Sequence, residues 1–342
     1  MQITLPDWPR AAKYVLPQAR FREQAADFQV TELLGFNLTG DGEHLFVLVE
    51  KEGVNTAEVS NVLARATGCH PRDVGCAGLK DRVSIARQWF SLKVPGSLEA
   101  DSLIDGKVRI LEQHRNSRKL RTGSHQGNRF VIRLRRVTGE YPGLEARLEQ
   151  IAHIGVPNYF GPQRFGKAGG NLAKAVLMFD GTGGKVPRFQ RGIYLSAARA
   201  YLFNQVLARR VSDGTWDLGL SGDVMLLAGT SSFFKTVEND PDLPARLDAG
   251  DIHPTGPLWG KGPLPASGTV LELENSIVGQ FAAYAQGLER AGLKQERRAL
   301  RVIPEALSMK SAGEGELVIE FTLPKGAFAT SVIRELVTAA GL

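Results

Sequence analysis

Between Asn128 and Val137 the chain reads NRFVIRLRRV. Phe130, Ile132 and Leu134 fall on one side of an extended strand, and Arg129, Arg133 and Arg135 on the other. The sheet that holds this strand must therefore have an apolar side and a basic side. Similar patterns place strands at Asp27–Leu33, His44–Glu50, Arg87–Val94 and Val108–His114. One amphipathic helix interrupts them: Asn55 with Glu58 forms a capping-box pattern, Val59, Val62, Leu63 and Ala66 share a face, and Gly68 closes the turn. Past Pro142 the texture turns helical, with helices expected over Leu144–Ile154, Asn171–Phe179, Ser196 (as N-cap) to Val211, and a long one from near Ser276. Short strands near Asp223–Leu227 and Ser231–Lys235 and a Gly/Pro-rich stretch over Pro254–Gly268 break that run. Strand texture returns at Leu317–Leu323, followed by a helix that carries Arg334 and Glu335. Strands, then helices, then a strand again is the pattern of a domain inserted into another domain's sheet.

The central strand lies in an unusually basic segment. From Lys107 to Arg136 there are ten Lys or Arg against the single acid Glu112, so this segment carries +9 of a net +6, and the remainder sums to −3. A basic stripe on an otherwise acidic body is the footprint of a phosphate-backbone binder, though a solvated charged face would look similar. The loop RKLRTGSHQG, between Ser117 and Gly127, suits a segment laid along a polyanion.

Other classes are set aside by composition. With 43% apolar and 23% charged residues over 342 positions, the chain can bury a full core, and its length suggests two domains. No apolar run reaches the about 18 residues needed to span a bilayer, and MQITLPDWPRAAKY lacks the apolar core of a secretory signal, so a cytoplasmic protein without membrane association is expected. Cys69 and Cys76 match neither a redox pair nor a four-ligand zinc site, and no metal site is expected.

The stretch VGCAGLKDRVSIARQWF, Val74–Phe90, places a carboxylate at a special point. An apolar run from Val74 to Leu79 reads as a buried strand that stops at Lys80-Asp81-Arg82. A half-buried Asp needs a charge partner or several hydrogen bonds. By itself the stretch equally suits a strand-to-turn junction with three solvated charges.

Five motifs in order, GLKD (Gly78–Asp81), GNRF (Gly127–Phe130), PNYFGPQRFG (Pro157–Gly166), SAARAYLFNQ (Ser196–Gln205) and LPKGAFATSVIREL (Leu323–Leu336), resemble the TruD family of tRNA pseudouridine synthases. The resemblance runs from Phe28 to Leu336. It implies isomerisation of uridine to pseudouridine, at position 13 in the D arm of tRNA for bacterial members. The implied fold is α+β: a pseudouridine-synthase-like mixed, largely antiparallel sheet with flanking helices, interrupted by a mostly helical TRUD insertion domain. The expected division is 1–153 with 304–342 as the catalytic domain and 154–303 as the insertion. By similarity Asp81 is the catalytic aspartate, Phe130 the aromatic stacked on the target uracil, and Asn128 a polar contact in the same pocket, with Phe28 and Phe328 lining it. Lys80 and Arg164 complete the expected substrate contacts. One departure is Arg22, where the family has Lys; it bears on a local phosphate contact. The middle of the insertion, about 213–268, matches only loosely.

The chemistry agrees with that expectation. The reaction breaks an N-glycosidic bond and makes a C-glycosidic bond to the same base, with no net redox change and no group lost, so no cofactor is expected. It needs a carboxylate that stays ionised at neutral pH, and a guanidinium is the natural partner because it keeps its charge when desolvated. Related pseudouridine synthases place an Arg in the helix after the final strand, and Arg334 occupies that place. An aromatic platform such as Phe130 would offset about 1 to 3 kcal/mol of the cost of unstacking the target. The expected partner is tRNA, bound by a monomer with no obligatory protein partner. Two other classes stay open: an RNA-binding protein without chemistry, which would need no acid at position 81, and a glycosidase-type hydrolase, which would need a second carboxylate.

Overall fold

The computed structural model describes residues 3–13, 15–99, 101–139, 143–237 and 240–340. Packing divides the chain into two compact units, one of 17–140 with 304–326 and the other of 1–16, 141–303 and 327–342. The N-terminal segment, the helix Leu144–Ile154 and the C-terminal helix Ala329–Ile333 pack with the chain between them. A buried carboxylate ties these three pieces together: Glu335 accepts from Ala11 N–H at 3.2 Å, Ala12 N–H at 2.9 Å and Arg147 Nη2 at 2.9 Å.

The first unit is built on a sheet of ten strands among the described residues. Its order is Glu305–Gly313, Glu316–Pro324, Gly127–Thr138, Phe28–Leu33, Ile85–Lys93, His44–Glu52, Val108–Asn116 and Ser102–Leu103, with Gln18–Phe21 pairing on Gly127–Thr138 and Gly75–Cys76 on Ile85–Lys93. Phe28–Leu33 and Ile85–Lys93 run parallel, and the other pairs are antiparallel. The sheet is mixed and largely antiparallel, as expected. Its central strand behaves as its alternation predicts: Phe130, Ile132 and Leu134 are 7%, 0% and 0% exposed, so one face is core. Gly127, which opens the strand, has a backbone reason to be glycine. A Cβ there would lie 2.4 Å from the Leu323 carbonyl oxygen, and that oxygen belongs to a paired strand that cannot move aside. The helix Thr56–Thr67 ends at Gly68 in the left-handed region, φ 69°, as predicted; Asn55 is its N-cap but its side chain makes no capping bond.

One strand is much shorter than the sequence suggests. The apolar run Val74–Leu79 yields only Gly75–Cys76, and Leu79 is 74% exposed. Asp81 therefore sits in a loop, not at the end of a buried strand. Small residues let the backbone leave the sheet early, and polar side chains from other elements hold it there.

The second unit is mostly helical, with Leu144–Ile154, Gly170–Phe179, Arg188–Ser212, Gly268–Gly279 and Ala282–Arg290 as its longer helices. Leu172, Ala198, Leu202, Val206, Val278 and Leu288 meet in its main core. Ser196 is not an N-cap. The helix starts at Arg188 behind Pro187, and Ser196 lies within it as a partner for Arg164. The helix expected from Ser276 begins earlier and breaks between Gly279 and Ala282. The Pro/Gly stretch also holds a strand, Ile252–Leu258, despite Pro254 and Pro257. Its first half pairs with Val224–Leu227 and its second with Glu296–Ala299, so each proline has a neighbour strand on one side only.

Candidate active site

The loop that carries Asp81 is fastened by buried side chains. Thr56 Oγ1 accepts the Lys80 N–H at 3.0 Å and donates to Gln88 Oε1 at 3.1 Å, while Gln88 Nε2 donates to the Gly78 carbonyl at 2.6 Å. The Lys80 ammonium turns inward to Glu32, 2.6 Å away, with side chains 6% and 0% exposed. Glu32 also accepts the Trp89 N–H at 3.3 Å; burial pushes its carboxyl above the usual range and Lys80 opposes that. Lys51, fully buried, donates to the Val54 carbonyl at 2.9 Å and to the Asp81 carbonyl at 2.8 Å. Burial lowers its pKa to about 8 against the pull of Asp81. Pinned at its backbone, the Asp81 carboxylate is left 40% exposed, and its Oδ2 accepts from Arg22 Nη2 at 3.0 Å.

Arg22 joins the carboxylate to an aromatic floor. Its guanidinium lies 3.7 Å from the centre of the Phe28 ring and 5.0 Å from that of Phe21. Phe28 packs against Phe130 at 5.8 Å, and Phe130 against Phe321 at 5.5 Å. Register explains the grouping: Val30 and Phe321 both stand opposite Phe130, and Glu32 stands opposite Asn128. Asn128, half-buried, has an Oδ1 with no hydrogen-bond partner among the described residues. Phe28, Lys80, Asp81, Asn128 and Phe130 are thus held by one sheet and one loop. Arg22 was legible only as a phosphate contact; here it is the ion partner of Asp81. Its signal, a cation shortly before the strand Phe28–Leu33, does not reveal a partner 59 residues away. A left-handed backbone at Arg22, φ 59°, helps to aim the side chain.

The basic segment is less open than its sequence. Arg129 pairs with Glu320, Arg133 with Glu316, Arg135 with Asp27 and Glu316, Arg136 with Glu23 and Arg109 with Glu50. Arg115 spends its guanidinium on the carbonyls of Val94, Pro95 and Gly96. Among the described residues Lys107, Arg118 and Arg121 have no ion-pair partner.

Three further expected residues belong to the helical unit. Arg164 Nη1 donates to Ser196 Oγ at 3.1 Å, and its Cζ lies 5.7 Å from the Phe160 ring centre and 5.8 Å from that of Phe328. Phe160 and Phe328 meet edge to face at 5.8 Å. Burial lowers the Arg164 pKa. Arg334 donates to the Pro9 carbonyl at 3.2 Å and to that of Trp8, and lies 5.1 Å from the centre of the Tyr159 ring. No cluster of three or more His, Cys, Asp or Glu that could hold a metal ion occurs among the described residues, and Cys69 and Cys76 are half-buried free thiols. None of the described helices is long and apolar enough to cross a membrane.

The fold is a mixed, largely antiparallel sheet interrupted in sequence by a mostly helical segment, and its likeness to a solved structure gives its class as that of the pseudouridine synthases. It matches a crystal structure from Methanosarcina mazei assigned as tRNA pseudouridine synthase D with a TM-score of 0.73, at 21% identity over 96% of this chain and 95% of that one. The family model for tRNA pseudouridine synthase D (TruD) matches residues 17–179 and 171–336, and the chain belongs to that family of isomerases. Similar proteins include tRNA pseudouridine synthase D of Methylococcus capsulatus, 45% identical over 97% of this chain and 94% of the relative, and that of Pseudomonas entomophila, 46% identical over 96% and 94%.

Proposed function

We propose that this chain isomerises uridine to pseudouridine at position 13 in the D arm of tRNA, as a cytoplasmic monomer, with Asp81 as nucleophile or essential base. The observation that carries this reading is a half-exposed carboxylate whose loop is anchored by Lys51, Lys80 and Thr56 and whose oxygen meets Arg22 over an aromatic floor. Arg22 sets an opposite charge 3.0 Å from that carboxylate oxygen. The N1–C1′ bond breaks, the base turns, C1′ bonds to C5, and the proton leaving C5 is matched by one gained at N1. Atoms balance with no cofactor. Phe28 and Phe130 are 4% and 7% exposed and the Arg22 guanidinium covers Phe28 at 3.7 Å, so the uracil reaches this floor only by displacing Arg22 from the ring. Asn128, whose Oδ1 has no hydrogen-bond partner among the described residues, meets the edge of the base, and Arg164 and Phe328 contribute further substrate contacts. Lys80, expected as a substrate contact, has its ammonium buried on Glu32 and is given the part of fixing the Asp81 loop instead. Arg334, expected as the charge partner of Asp81, donates to the Trp8 and Pro9 carbonyls and lies 3.9 Å from both Asp7 and Glu335, so Arg22 takes that part in this reading.

The test is Asp81→Asn, which keeps size and hydrogen-bonding atoms but removes the charge. Pseudouridine formation in a tRNA transcript should disappear while tRNA affinity survives. A variant that still converts uridine near the parent rate would remove Asp81 from the mechanism. Sequencing the parent's product with chemistry that marks pseudouridine locates the modified position.

A further inference from the structure

Away from Asp81, the sheet unit holds a cavity of about 850 Å3. Phe36, His44 and Phe46 line it on one side and Arg118, Lys119 and Arg121 on the other. It is separate from the carboxylate: His44 and Lys51 share one strand, and seven residues of strand rise put them about 23 Å apart. Lys51, not His44, is the one bonded to Asp81.

The walls have complementary chemistry. Phe36 is 41% exposed, unusual for a Phe, and is held edge-on against the fully buried Phe46 with ring centres 6.4 Å apart. Its ring is thus fixed at one edge and open to a ligand. Arg118 and Arg121 are exposed and carry no ion pair among the described residues, whereas most of their basic neighbours in sequence are neutralised. Lys119 donates to the Arg72 carbonyl at 2.6 Å, which fixes a third positive charge without an acid. An open aromatic ring with uncompensated cations lining the same cavity is the combination that takes a base by stacking and its phosphates by charge. The volume lies within the range of small-ligand pockets, about 300–1,000 Å3.

We propose that this cavity binds one unstacked nucleotide of the RNA substrate, its base on Phe36 and its phosphates on Arg118 and Arg121. The inference rests on RNA being the substrate, as proposed above. It gives the enzyme a second grip on the RNA, remote from the target uridine.

The experiment measures equilibrium affinity of the full chain for a tRNA transcript over a range of salt concentrations, in the Asp81→Asn background so that turnover plays no part. Phe36→Ala should weaken binding about 5- to 150-fold, the loss of one stacked base, and Phe36→Trp should restore it. Arg118→Ala combined with Arg121→Ala should make the log–log salt slope shallower by about 1.4 to 1.8, whichever way the Phe36 variants fold. Parent affinity in a folded Phe36→Ala, a defect that Phe36→Trp does not repair, or an unchanged salt slope in the arginine pair would each overturn the proposal. These readouts do not depend on pseudouridine being made, so failure of the isomerase reading would show separately, as absence of product from the parent chain.

Discussion

The strand Gly127–Thr138 and the loop before it belong to one basic run, yet they use their arginines in opposite ways. On the strand, Arg129, Arg133 and Arg135 meet Glu320, Glu316 and Asp27. In the loop, Arg118 and Arg121 meet no acid among the described residues. The cause is geometric. A strand acquires neighbours in register, and those neighbours bring side chains to the same face at the same period of two; a loop acquires none. Charge counted along a sequence therefore overstates the charge a polyanion can reach. The interior repeats the lesson, since the lysine adjacent to Asp81 is committed to Glu32.

The largest effect should come from disturbing a committed charge. Lys80→Met strands Glu32 in the core, and urea unfolding should show a loss of about 3–5 kcal/mol, much of it recovered when Glu32→Leu is added. Parent stability in the single variant would break the distinction between committed and available charges. Next is Lys51, whose folded-state pKa of about 8 lies below its ordinary 10.5. Between those values the unfolded chain holds a proton that the folded chain lacks. Stability of the parent, measured relative to Lys51→Met, should thus rise as pH climbs through that window, by up to ~3 kcal/mol, and a flat difference would show that burial does not tax the ammonium. The smallest effect sharpens the comparison itself. Arg129→Ala removes an exposed pair, so it should cost at most about 1 kcal/mol in thermal or urea unfolding and leave the salt slope of tRNA binding alone. Arg118→Ala should lower that slope by about 0.7 to 0.9, and equal slopes for the two would erase the contrast.

The alternation around Phe130 and the glycine after Thr67 could be read directly because each is a local cause with a local result. The five motifs led to Asp81, but its surroundings were hidden. The Val74–Leu79 run looks like a strand, and only Thr56 and Gln88, which hold Gly78 and Lys80, make it a loop. Arg22 was obscure for the same reason, since its partner is distant in sequence. The strand through Pro254 and Pro257 was hidden in a Gly/Pro-rich stretch because a strand with a different neighbour on each half has no sequence signature. The irregular first residues gave no sign that Glu335 would collect their backbone N–H groups.

The pairing of Gly127–Thr138 with Glu316–Pro324 also sets a clock. The 178 positions from Thr138 to Glu316 take on the order of 10–40 s to synthesise at about 5–20 residues per second. Throughout that interval the edge of the strand is open, and the rings of Phe130 and Phe321 have not met. An open edge is a template for pairing with another chain. Arg129 and Arg133 are still uncompensated then, because Glu320 and Glu316 lie on the strand yet to be made. Two nascent copies present like charges to each other along that edge.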